Sequence, residues 1–369
     1  MQAVVQKKDR VLSLDVMRGV IMLLLAAESC AVYVSLESLN LPAPCNGVTQ
    51  QFFHHPWHGL RFWDLVQPAF MLMAGSAMYI SYYANTKKGT TWQRHFRHIF
   101  FRCVKLFICG VALHCVYAGK PVWELWNVLT QLSVTTLIAY LIIRLPAVVQ
   151  VVISIFLLIL TTVLYQTVLM PGFDQPYIEH HNFGAWMDTV LMGKTNSDGW
   201  VAINIIPTAA HTIWGVLAGK LLISPLSNRK KIEWLILAGS LGLLAGFSLD
   251  MLHFIPIIKR ISTASFVLAS GGWVLLIMAF LYWLTDVKKW NRQAWIFMVV
   301  GMNSIFIYLF FETVGAQWLN GVVAIFVKGA AGFVGITTQP AAVLSAFVTL
   351  FLEWCLCYWL YKKNIFIKL

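Results

Sequence analysis

Apolar runs of about twenty residues, each the length of a bilayer span, recur along this chain with only short polar breaks between them. In hydrocarbon every backbone N–H and C=O must be satisfied within the protein, so only helices and closed barrels can cross. A barrel would need alternating strands of about ten residues, and the sequence shows none. The chain has 369 residues, 59% hydrophobic and 11% charged, whereas a soluble protein carries about 25% charged residues. The pattern therefore predicts an all-α polytopic membrane protein. About ten spans are expected, near 14–36, 62–84, 98–117, 124–143, 148–168, 200–222, 234–252, 263–284, 295–314 and 341–361. Residues 1–369 read as a single membrane domain without internal repeats.

Lys and Arg in short loops set orientation. Lys7, Lys8, Arg10 and Arg18 precede or open the first span. Lys87, Lys88, Arg94, Arg97 and Arg102 follow the second, Arg229, Lys230 and Lys231 the sixth, Lys288, Lys289 and Arg292 the eighth. Lys362, Lys363 and Lys368 end the chain. All fall on one side if there are ten spans, so both termini are expected in the cytoplasm. The net charge of +12 is then a topology signal rather than a nucleic-acid footprint. The opposite face, periplasmic in a bacterium, holds loops 37–61, 169–199 and 253–262, rich in His. Lys259 and Arg260 break the charge rule there, which suggests a task such as holding an anion. The stretch 315–340, broken by glycines and Lys328, reads as an interfacial or re-entrant helix near 318–335, because a full span would place the basic tail outside.

No cleavable leader is expected, so the first span reads as an uncleaved anchor. The seven cysteines include no CxxC pair. Five read as small apolar fillers, and a bridge between Cys30 and Cys45 stays open.

The chemistry concentrates in "FFHHPWHGLRFWDLVQPAF", residues 52–70. A neutral imidazole takes a proton near neutral pH, which suits His54 to general-base work; a solvated loop histidine is the bland alternative. If the second helix started near His54, then His54 and His58 would share a face at i,i+4. Without a third ligand in that stretch, no metal is expected. Asp64 lies inside the apolar run, where an ionisable group costs roughly 2.5–3.5 kcal/mol. It should be paired, either orienting an imidazole or in an ion pair with Arg61. Asp15 and Arg18 sit at i,i+3 and read as a salt bridge. Glu28 lies deep in the first span. Gln131 and Asn303 are buried amides, as inter-helix glue or substrate contacts. His211 reads as a satisfied core histidine, while Glu312 and Glu353, near external span ends, are compatible with solvation. There is no P-loop, GxGxxG, HExxH or GxSxG.

The blocks "RVLSLDVMRGVIMLLL", "HHPWHGLRFWDLVQPAFMLMAGSAM", "VGMNSIFIYL" and "YWLYKKNIFIKL" resemble the membrane acetyltransferases typified by heparan-α-glucosaminide N-acetyltransferase. Bacterial homologues of that family are often labelled N-acetylglucosamine-related transporters. The most specific motif, H-x-x-W-x-G-L-x-x-x-D-L-V-x-P, is matched by His54, Trp57, Gly59, Leu60, Asp64, Leu65, Val66 and Pro68. The resemblance implies a ten-span fold and transfer of acetyl from cytosolic acetyl-CoA to a terminal glucosamine across the membrane. It makes His54 the active-site histidine and aligns Asp15, Arg18, Asn303 and Lys259 with family positions. Departures fall near the implied pocket: Glu28 and Ser29 stand near a family asparagine, Gln131 replaces an arginine, Gln67 a phenylalanine and His55 an alanine.

On that reading the catalytic residues are His54, Asp64 and Glu28. The binding residues are Asn303, Lys259, Trp57, His58, Gln131, Asp15 and Arg18. His54 would deprotonate the acceptor or carry the acetyl group. Expected partners are acetyl-CoA, a saccharide acceptor and the bilayer of the inner (plasma) membrane; nucleic acid is excluded and a homodimer is left open. The rival class is a transporter of an amino sugar or cell-wall saccharide, though no inverted repeat or matched pair of broken helices is apparent.

Overall fold

A computed structural model describes residues 11–367; Lys7, Lys8, Arg10 and Lys368, used above for orientation, lie outside the described residues. In chain order the helices are α1 (Leu12–Ser29), α2 (Val32–Glu37), α3 (Ala43–Gln50), α4 (Val66–Lys87), α5 (Trp92–Ala118), α6 (Val128–Leu141), α7 (Ala147–Thr167) and α8 (Phe183–Met192). They continue as α9 (Ile205–Leu222), α10 (Asn228–Met251), α11 (Ala264–Tyr282), α12 (Ala294–Gly301), α13 (Ser304–Phe310), α14 (Asn320–Phe333) and α15 (Thr338–Lys362). Only isolated bridges, and no strand, occur among the described residues. Seven helical stretches there are long and apolar enough to cross a membrane: Trp92–Ala118, Ala147–Thr167, Ala202–Leu222, Asn228–Met251, Ala264–Val287, Ser304–Phe333 and Thr338–Lys362.

The described chain divides into two compact units. The first holds residues up to Leu14, His55–Leu60 and Asp64–Val287; the second holds Asp15–His54, Arg61–Trp63 and the residues from Lys288 on. In the first unit α9 and α11 are central, each 67% buried over its apolar window, while α10 is only 17% buried. Hydrocarbon is as apolar as leucine, so helices in it associate through close backbone approach and polar contacts. The α4–α9 seam shows both. A Cβ added at Gly75 would strike Thr212 O, and one at Gly215 would strike Leu72 O. Ser76 Oγ donates to Gly215 O at 2.8 Å. Gly215 and Gly219 form a GxxxG pair.

The second unit corrects three sequence expectations. The first span breaks near its C-terminal end: α1 stops at Ser29 and α2 starts at Val32, with Ala31 in the left-handed region at φ 59°. The ninth span is interrupted after α12 at Asn303, whose φ of −114° and ψ of 34° are not helical. Beyond it the helix does not stop near 314. It passes through a π-helical stretch, Phe311–Leu319, into α14, so the segment read as a separate re-entrant helix continues the one before it.

A fourth correction concerns residues 54–61, which are not helical. Pro56 has no N–H to donate and biases His55 towards extended backbone. Gly59 sits at φ 144°, and a Cβ there would meet His55 Nε2 at 2.6 Å. His54 and His58 therefore share no helix face. Gly215→Leu should be strongly disruptive, because the colliding atom is a backbone carbonyl. Overpacking costs about 1–3 kcal/mol or more, so the purified variant should show a clearly lower melting temperature than a Gly321→Leu control, whose surroundings are open.

Candidate active site

In the first unit, loop 55–60 is fastened to the α10–α11 connection. Gly59 N donates to Ile257 O at 2.8 Å, beside a bridge between His58 and Ile258. His58 Nε2 meets Asp250 Oδ1 at 2.6 Å, and the same oxygen accepts Ile257 N at 2.9 Å. Trp57 Nε1 donates to Tyr177 O at 2.8 Å. Asp64, in the 3-10 turn Phe62–Leu65, has no exposed surface. Its Oδ1 lies 3.6 Å from Lys259 Nζ and its Oδ2 accepts His55 N at 3.4 Å. Lys259 is itself buried and lies over the Trp200 ring, 5.3 Å from its centroid. Arg260 reaches Glu179 Oε1 at 2.9 Å and also donates to Asp198 O. The two cations that broke the charge rule are thus engaged with the protein's own carboxylates.

Gln131 joins a row of amides from three helical segments. Gln67 Nε2 donates to Gln131 Oε1, Gln131 Nε2 donates to Asn204 Oδ1 at 2.5 Å, and Asn204 Nδ2 points to Arg260 O at 3.5 Å. The two glutamines that depart from the family pattern are partners of each other.

A further polar group lies beside α8. Asp188 is fully buried and accepts Trp126 Nε1 at 2.7 Å and Ala202 N at 2.9 Å. Burial pushes its carboxyl up from 3.8 to about 7, against the pull of those two donors. Glu124 takes His114 Nδ1 at 2.6 Å and Lys194 Nζ at 2.5 Å. Burial raises its carboxyl, but the hydrogen bonds and charges of Lys194 and His114 outweigh that and hold it below the ordinary range.

The second unit carries His54, half-buried, with its carbonyl accepting Arg61 Nη1 at 3.2 Å and its ring 6.5 Å from that of Trp63. Trp63 is buried edge-on to Tyr33 at 5.1 Å. Glu28 is exposed in the last turn of α1 rather than deep within a span, and its charge is felt by Tyr33. Asp15 and Arg18 form the expected pair at 3.6 Å. Asn303 is buried. Its Nδ2 donates to Ile365 O at 2.9 Å and its Oδ1 accepts Ile367 N at 2.8 Å, tying down the tail. Cys30 and Cys45 are free thiols. Glu353 is buried, not solvated, and His211 Nε2 bonds Val267 O at 3.0 Å in the core. Among the described residues no group of three or more His, Cys, Asp or Glu is placed to hold a metal ion.

The catalytic-domain profile of heparan-alpha-glucosaminide N-acetyltransferase matches residues 10–249. The chain belongs to this family. No curated protein matches it. The protein is thus a membrane acetyltransferase by family, with apolar helices to suit. The matched stretch takes in His54, Asp64, Glu28, Trp57, His58, Gln131, Asp15 and Arg18, and ends before Lys259 and Asn303. Sequence reasoning missed Asn204, Asp250 and Glu179 as partners. The Lys259–Arg260 anomaly pointed towards Glu179 and Asn204, which meet Arg260; nothing pointed towards Asp250.

Removing one member of a buried ion pair costs about 3–5 kcal/mol. Lys259→Met should therefore destabilise strongly, and Asp64→Asn with Lys259→Met less than the sum of the singles in a thermal-unfolding cycle. Asp188, raised in the folded state, gives stability that is complete below pH 3.8 and lost as pH rises through about 7. Asp188→Asn should remove that slope, read as melting temperature against pH.

Proposed function

We propose that this chain moves an acetyl group from cytosolic acetyl-CoA to the amino group of a glucosamine-like sugar on the external face of the cell's inner (plasma) membrane. The motif loop 55–60 carries this reading: it is non-helical and held in place, with His55 N on Asp64 and Gly59 N on Ile257 O. A fixed backbone limits the orientations an imidazole must search, and positioning supplies much of the barrier reduction in transfer reactions.

The thioester is already activated. The acceptor nitrogen must lose its ammonium proton, attack the thioester carbon, and expel CoA thiolate, which leaves with a proton as the thiol. Starting from the ammonium, one proton is released per transfer. His54 takes that proton as general base, or first forms an acetyl-imidazole by displacing CoA. Asp64 acts through the backbone by holding His55 N–H, with Lys259 balancing its charge. Glu28, on the second unit, is the carboxylate proposed to act with His54. CoA offers phosphates and an adenine, which suit cations beside aromatic faces. α5 opens with exposed Arg94 and Arg97 among Trp92, Phe96 and Phe101, with Arg97 5.8 Å from the Phe101 centroid. On this reading α1, α4 and α6 join the seven apolar stretches as spans, ten in all, with both termini cytoplasmic and residues 1–369 as one acyltransferase domain.

His54→Ala should lower acetyl transfer from labelled acetyl-CoA to glucosamine by about 10²–10⁴-fold with an unchanged melting temperature, while His55→Ala retains most of it. Near-normal turnover in the His54 variant would sink the assignment. Label retained on wild-type protein without acceptor, and absent from His54→Ala, would select the acetyl-carrier route.

A further inference from the structure

Glu353 lies on α15 with 1% of its surface exposed. Its Oε2 accepts the Cys30 thiol at 3.1 Å. Its Oε1 is buried without a hydrogen-bond partner and points at the π-helical stretch, where a Cβ on Gly315 would collide with it. Asn320 Oδ1, just beyond that stretch, is also buried without a partner, while its Nδ2 donates to Ser29 O at 2.7 Å. π-helical turns recur at functional sites, and an ionisable group inside an apolar helix is costly enough to need a purpose.

Among the described residues, the titratable groups that interact with Glu353 are Cys30, Glu312 in the π-helical stretch and Cys357 on α15 itself, none of them a cation. α12 has no titratable residue, and α14 has only Lys328, exposed and outside any salt bridge with Glu353. A buried carboxylate without a cation is far costlier than its neutral acid, and such groups neutralise instead. We propose that Glu353 is a proton-binding site within the second unit, holding one exchangeable proton on the carboxyl group between Cys30 and Gly315. Cys30 donates to one oxygen, and glycine at 315 leaves room at the other. The site stands independently of the acetyl-transfer reading, since its ligand is a proton and its occupancy is measured without substrate.

Infrared spectroscopy of the full-length protein in lipid nanodiscs near neutral pH tests this. Wild type should show a carboxylic-acid C=O band that moves down in D2O and rises and falls with pH. Glu353→Gln, an isostere of the acid, should lose that band and shift one S–H stretch, that of Cys30. If that variant fails to fold, Cys30→Ser should shift the same C=O band, because a hydroxyl is the stronger donor. A spectrum unchanged in Glu353→Gln, or carboxylate bands that respond to NaCl rather than to pH, would overturn the proposal, the second in favour of a metal cation.

Discussion

A carboxylate with no exposed surface has to be balanced where it stands. Asp64 meets that demand with Lys259 on one oxygen and the His55 N–H on the other. Desolvating two charges costs several kcal/mol per ion, so such a pair adds little net stability over an apolar pair. What it supplies is position. Lys259 is carried by the connection that also offers Ile257 O to Gly59 and, through Asp250, a partner to His58. The polar loop is therefore shaped from beneath by a charge that could not otherwise be buried.

The helices around it are held by a different economy. In the α4–α9 seam there is no side chain at the closest points, only glycine against carbonyl oxygen. Dispersion between backbones and one hydroxyl bond replace the hydrophobic drive that lipid cannot provide. Trp214, packed on the neighbouring core, also reaches Ser154 Oγ at 2.9 Å.

The apolar runs made the long helices legible, because length and composition alone decide what can cross hydrocarbon. What they hid were interruptions. Ala31 and Asn303 are ordinary residues in apolar surroundings with no local signal of a break, and Asn303 is tied to the tail by bonds that only the fold brings together. Pro56 and Gly59 did announce a break, but the helical spacing of His54 and His58 masked it. In the site, the residues flagged as charged inside apolar runs did find partners. The partners themselves were not legible, since Asp250, Glu179 and Asn204 carry no local signal of what lies across the fold. Glu353 was misjudged because its nearness to a span end says nothing of what packs over it.

The amide row has a direction. A backbone carbonyl can only accept, so Arg260 O requires the Nδ2 end of Asn204. That turns Asn204 Oδ1 towards Gln131, which must answer with its Nε2 and offer Oε1 to Gln67. Gln67 then donates inward and keeps its own Oε1 at the open end, half-buried at the start of α4. Reversing Gln131 or Asn204 would set donor against donor on one side and acceptor against acceptor on the other, and reversing Gln67 would set its oxygen against that of Gln131. A main-chain oxygen in the α10–α11 connection therefore fixes the orientation of the whole row, out to the far glutamine.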